Sequence, residues 1–198
     1  MRASFLIVLA LAACGVLALA ACGPSDGADT TSAPLSCASY CTTIQAACGT
    51  DIQQYSDDND CMNSCKALPL GTESDTMGDT LGCRYAYAKK AATSATMAAE
   101  YCTTAGPGGD GVCGDNCDGF CDIAMMYCTA ANGASVYTTR TACLAACATH
   151  GTDMSLDTGT GDRTDMGNEV ACLLYHAQMA SSSPIDHCLG DIAGGTCS

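Results

Sequence analysis

The sequence predicts an all-α protein in which two tandem, disulfide-stapled small helical repeats follow a cleaved signal and a flexible tether. Three observations predict it. Sixteen of the 18 cysteines fall into two sets of eight in matching order. From residue 22 onward only 18 residues are Leu, Ile, Val or Phe, so the chain lacks a large apolar core and without cross-links would fall among disordered compositions. No segment sustains the period-two alternation of a half-buried strand.

The chain opens on residues 1–21, which read as a lipoprotein signal peptide: Arg2 is a minimal basic start, Phe5 to Ala21 is apolar, and small residues precede Cys22. The run is too short and Ala-rich to favour a membrane-spanning helix. Leu19-Ala20-Ala21-Cys22 resembles the bacterial lipobox, which makes Cys22 the lipidated first residue of the mature chain. Leu11-Ala12-Ala13-Cys14 repeats the tetrapeptide but would leave a very short apolar region. Gly23, where Asp would favour inner-membrane retention, points to the outer membrane of a bacterial envelope. Residues 22–36 form the lipidated N-terminus and a disordered tether, whose flexible part reaches roughly 20 Å.

Repeat 1 occupies residues 37–113 and repeat 2 residues 117–198. Cys37, Cys41, Cys48, Cys61, Cys65, Cys83, Cys102 and Cys113 are separated by gaps of 3, 6, 12, 3, 17, 18 and 10 residues. Cys117, Cys121, Cys128, Cys143, Cys147, Cys172, Cys188 and Cys197 follow with gaps of 3, 6, 14, 3, 24, 15 and 8. This is internal duplication, with the boundary near Gly114 to Asn116.

Each C-x3-C-x6-C opening lies on one stripe of a helix, its three sulfurs within about 40° of one another. Ser36 is the expected N-cap and Gly49 the residue just past the end; Asn132-Gly133 ends the counterpart in repeat 2. Second helices are expected over Asp58 to Leu68, stopped by Pro69, and Thr139 to His150, stopped by Gly151. Third helices are expected over Asp79 to Ala91 and Asn168 to Ala180. Short fourth helices should reach Cys102 and Cys188, the latter opened by Ser183-Pro184.

Two antiparallel helices that each carry C-x3-C can be joined by two rungs. This predicts Cys37–Cys65 with Cys41–Cys61, and Cys117–Cys147 with Cys121–Cys143. The four cysteines left in each repeat allow three pairings that sequence alone does not decide. The pairing adopted as an expectation is Cys48–Cys83 with Cys102–Cys113, and Cys128–Cys172 with Cys188–Cys197. Each bond stabilises by roughly 3 kcal/mol in the chain-entropy picture, replacing the missing core.

With these elements placed, the chain resembles a cysteine-rich repeat of lipoproteins predicted in myxobacterium-like bacteria. The resemblance rests on the C-x3-C-x6-C openings, the Gly78-Asp79-Thr80-Leu81-Gly82-Cys83-Arg84 block, Tyr175-His176-Ala177, His187-Cys188 and Ala105-Gly106-Pro107-Gly108. It implies a surface-anchored, disulfide-bonded module and no assigned reaction. In repeat 1, Tyr87 and Tyr101 stand where repeat 2 has His176 and His187, so a role needing both histidines belongs to repeat 2.

Function classes narrow accordingly. With 21 acidic and 7 basic residues, a net charge of −14, nucleic acid is not an expected partner. The chain contains no C-x-x-C, no G-x-S-x-G, no H-E-x-x-H and no phosphate-cradling loop, so no catalytic residue, cofactor or metal is expected and an enzyme is not. Even cysteine counts leave no free nucleophilic thiol. The rival for the C-x3-C stripes is soft-metal storage, such as Cu(I), which needs reduced thiols; export argues against it. His176 and His187 read as packing or surface residues, with a metal-binding or acid–base pair, in an enzyme or enzyme inhibitor, as the alternative. His150 is expected to stabilise a helix C-terminus. The acidic groups Asp57-Asp58-Asn59-Asp60, Asp110 through Asp118 and Asp153 through Asp165 match no calcium loop. The expected function is therefore a non-catalytic, lipid-anchored structural or binding module. Its partners are the membrane, through the N-terminal lipid, and an unspecified protein or envelope component.

Overall fold

The computed structural model describes residues 34–49, 52–151 and 169–197. The expectations for the signal peptide, Cys22, most of the tether and the stretch Asp153 through Asp165 lie outside these residues. The described residues are helical and contain no strand; Gly151 and Glu169 form an isolated bridge.

Helix starts follow the local chemistry of their caps. Ser36 caps α1 (Cys37–Ala47) in a reciprocal box with Ser39, and Asp57 caps α2 (Asp58–Ala67) by accepting the Asp60 N–H. Thr80 caps α3 (Leu81–Ala91), so this helix begins two residues later than Asp79. Ser94 caps α4 (Ala95–Ala105). In repeat 2, Asp115 is the cap of α5 (Asn116–Tyr127). It is followed by a short 3₁₀ turn, Ala130–Asn132. Thr139 is the cap of α6 (Arg140–Cys147) rather than its first residue, and the helix stops three residues short of His150. Helix α7 (Val170–Met179) begins after Glu169. The last element departs most: past Pro184 the chain forms a π-helix, Ile185–Ile192, which continues beyond Cys188.

All sixteen cysteines from Cys37 to Cys197 are in disulfides. The expected rungs join α1 to α2 through Cys37–Cys65 and Cys41–Cys61, and α5 to α6 through Cys117–Cys147 and Cys121–Cys143. The remaining pairings correct the expectation. Cys48 bonds Cys102 and Cys83 bonds Cys113; Cys128 bonds Cys188 and Cys172 bonds Cys197. The reason is the return of α4 along α3. It brings the end of α4 back to the start of α3, where Arg84 donates to the Gly106 and Pro107 carbonyls and Gly78 N–H to Val112. Cys113 thus meets Cys83, while Cys102 on α4 reaches the end of α1.

Each repeat has its own core, and all half-cystines except Cys37 and Cys117 are buried. Repeat 1 packs Tyr40, Ile44, Tyr55, Leu81 and Tyr85 together; repeat 2 packs Phe120, Ile123, Val170, Leu173 and Leu174. Equivalent positions carry equivalent contacts. Tyr40 meets Tyr55 edge-on at 6.2 Å between ring centroids, and Phe120 meets Tyr137 at 6.1 Å. The repeats join in one unit along a polar seam: α2 packs against α5 and α7, Asn63 donates to the Ser181 hydroxyl, and Tyr127 donates to the Asn63 carbonyl. Arg140 ties Asp79 of repeat 1 to Asp118 and Asp122 of repeat 2. Gly119 is required here, because a Cβ would strike the Pro107 carbonyl.

Candidate metal centre

Helix α7 is buried along nearly its whole length because it packs against α5 and carries Leu173 and Leu174 into the core. His176 lies on that helix one turn after the cystine Cys172 and is only 5 % exposed. His187 and Asp191 lie on the π-helix, four residues apart and flanking Cys188. The wider π-helical turn is rare and is frequently found at functional sites.

These three side chains converge. The Nδ1 atoms of His176 and His187 are 3.1 Å apart, and each lies 2.9 Å from Oδ2 of Asp191. The imidazole rings are tilted by 32°, with centroids 5.3 Å apart. The other carboxylate oxygen of Asp191 accepts the Thr196 hydroxyl at 3.1 Å, and the Thr196 N–H returns to the Asp191 carbonyl. Sγ atoms of the Cys172–Cys197 disulfide lie within 4.8 Å of the His176 ring nitrogen; bonded to each other, they are not thiolate ligands.

Three donor atoms facing one another within about 3 Å cannot all be satisfied by protons. Oδ2 can accept two N–H bonds, but two N–H groups then oppose each other; if one ring nitrogen accepts instead, it gives up its bond to the carboxylate. The surroundings are acidic. Asp60, across the seam on α2, is pushed up to about 6, first by burial and then by Asp57, with the Ser56 hydrogen bond and the nearby His187 pulling the other way.

The sequence singled out both histidines, and the structure brings them together. It gave no reason to select Asp191, one acid among many; the available signal was the spacing His187-x3-Asp191 following Ser183-Pro184. His150 does not sit as expected. It follows α6 in a turn, and its buried Nδ1 has no hydrogen-bond partner among the described residues; the ring lines a cavity with Asp115, Asp118 and Leu144. The acidic groups of the seam serve as caps and ion pairs: Asp57 caps α2, and Asp118 and Asp122 hold Arg140.

In repeat 1 the corresponding place is built differently. Tyr87 and Tyr101 stack edge-on at 5.5 Å, and the Lys90 ammonium lies 3.9 Å from the Tyr87 centroid and 5.6 Å from that of Tyr101. Counting from the equivalent cysteines, Met179 stands where Lys90 does, and Asp191 where repeat 1 has Ala105.

Among the described residues no helix is long and apolar enough to cross a membrane. No curated protein and no solved structure matches the chain. Residues 23–118, which take in repeat 1 and the opening of α5, match the family model described as the BfoA family C-terminal domain.

Proposed function

We propose that the chain is an exported, lipid-anchored module of the bacterial cell envelope, with a non-catalytic structural or binding role, sited at the outer membrane. One observation carries the reading: eight disulfides use every cysteine from 37 to 197, and such bonds form and persist in oxidising compartments. The tetrapeptide ending at Cys22 supports lipid as the anchor, and the resemblance to predicted myxobacterium-like lipoproteins agrees with it. The acidic surface supports a protein or envelope partner rather than a nucleic acid. With their sulfurs paired, the cysteines of the described residues offer no thiolate for Cu(I) storage or for nucleophilic attack.

The test is mass spectrometry of protein taken from its native envelope. The expected result is a diacylglyceryl group on Cys22, lost in Cys22→Ser, and a body about 16 Da lighter than its fully reduced form. Free thiols, or an unmodified Cys22 on a chain found in the cytosol, overturn the reading.

A further inference from the structure

We propose that His176, His187 and Asp191 form a binding site in repeat 2 for a divalent first-row transition ion of the zinc class. The inference goes beyond the envelope role and does not depend on the lipid anchor.

The donor triangle has the dimensions of the face of a coordination shell. With bonds of about 2.1 Å, neighbouring ligands lie about 3.0 Å apart on an octahedral ion and about 3.4 Å apart on a tetrahedral one; the sides observed, 2.9, 2.9 and 3.1 Å, match the first and open to the second by side-chain shifts of about half an ångström. An ion seated on that face accepts all three lone pairs at once, resolving the conflict that protons leave. The partly open side, where His187 and Asp191 are each 25 % exposed, leaves room for water to complete the shell. Two imidazole nitrogens with one carboxylate suit borderline ions and disfavour calcium and magnesium, which prefer all-oxygen shells.

The donors are also held in place before any ion arrives. His176 is one turn from the Cys172–Cys197 bond, and His187 and Asp191 flank Cys188, which is bonded to Cys128. Thr196 fixes the carboxylate from behind, as outer-sphere partners of metal ligands do.

The duplicated fold adds an independent argument. Repeat 1 places its own cation, Lys90, over the rings of the two side chains at these positions. Repeat 2 replaces that lysine by Met179, the two tyrosines by imidazoles and Ala105 by a carboxylate. The same location is thus filled by a tethered cation in one repeat and built to receive a free one in the other.

The experiment titrates the oxidised protein with Zn²⁺, with Ca²⁺ in parallel, by calorimetry after chelator treatment. One equivalent of Zn²⁺ should bind, and Ca²⁺ should bind at least about 100-fold more weakly. His187→Ala and His176→Ala should each weaken Zn²⁺ binding by about 100-fold, and Thr196→Val by about tenfold. Imidazole ¹⁵N resonances of the unmutated protein keep the test independent of variant folding: Nδ1 of both His176 and His187 should shift on binding while His150 does not. Zn²⁺ binding unchanged in His187→Ala, equal affinity for Ca²⁺, or Nδ1 resonances that do not move would each overturn the proposal.

Discussion

Repeat 1 and repeat 2 share four staples in the same topological order, yet they fill two matched positions with different chemistry. Next to its α3 half-cystine, Cys83, repeat 1 buries Arg84 completely, its guanidinium satisfied by Asp79 and by the Gly106, Pro107 and Thr80 carbonyls. Repeat 2 has Leu173 there, equally buried. Further along the same helix, repeat 1 sets Lys90 against two tyrosines, where repeat 2 gathers two histidines and an aspartate. Once disulfides carry the fold, interior positions become free to change chemistry. A chain depending on a jigsaw of apolar side chains would not tolerate an arginine and a leucine at equivalent buried sites.

The sharpest way to break the comparison is to remove the staples themselves. Losing the Cys48–Cys102 bond by double serine substitution should cost about 4 kcal/mol, against about 3 kcal/mol for Cys41–Cys61, since the first closes a longer loop. The matching pairs in repeat 2, Cys128–Cys188 and Cys121–Cys143, should rank the same way. Denaturant unfolding of the four variants checks both rankings, and a reversal in either repeat would mean that the apolar core, not the covalent frame, dominates there.

Arg84→Leu writes the repeat 2 solution into repeat 1. It should destabilise by about 3 kcal/mol, because the carbonyls of Gly106 and Pro107 and the carboxylate of Asp79 lose their buried donor. A neutral result in thermal unfolding would show that these groups find water instead. The reciprocal exchange, Met179→Lys, brings the repeat 1 ammonium beside the histidine pair. It should lower Zn²⁺ affinity by about tenfold through like-charge repulsion, with the disulfide map unchanged; an unchanged affinity would separate the two positions that the duplication equates.

The smallest effect is a pH dependence. Burial raises Asp60 in repeat 1 and Asp122 in repeat 2 to about 6 from 3.8, with Arg140 pulling Asp122 down and Asp79 pushing it up. Between these values the native chain holds protons that the unfolded chain has released. Stability contributed by these groups is therefore fully present below pH 3.8 and declines as pH rises through the window from 3.8 to 6. Each side chain contributes on the order of 1 kcal/mol after solvent screening. Scanning calorimetry between pH 4 and 7 should show the decline, and Asp122→Asn should remove the repeat 2 share.

Much of this architecture is written locally. Ser36 and the paired C-x3-C segments declare a helix start and the antiparallel rungs, and Asp58 and Thr139 place two further starts to within one residue, because caps and sulfur spacing act within one or two turns. The other disulfides were not legible, since they depend on how the last helical segment of each repeat folds back on the one before it, a choice made in repeat 1 by the burial of Arg84 and the course of the Gly106 to Gly114 loop. The π-helix was hidden for a similar reason: Ser183-Pro184 announces a beginning but not a winding. His176 and His187 stood out by rarity, whereas Asp191 did not, being distinguished only by where that wider winding carries it.

No sulfur bridge crosses from one repeat to the other: the first set closes at Cys113 and the second opens at Cys117. Between them run only Gly114, Asp115 and Asn116. A single peptide cut in that triplet would turn an intramolecular seam into a bimolecular complex, its halves parting on dilution and recombining on concentration. On the proposed anchoring at Cys22, repeat 1 would stay with the membrane while the histidine-bearing half was shed.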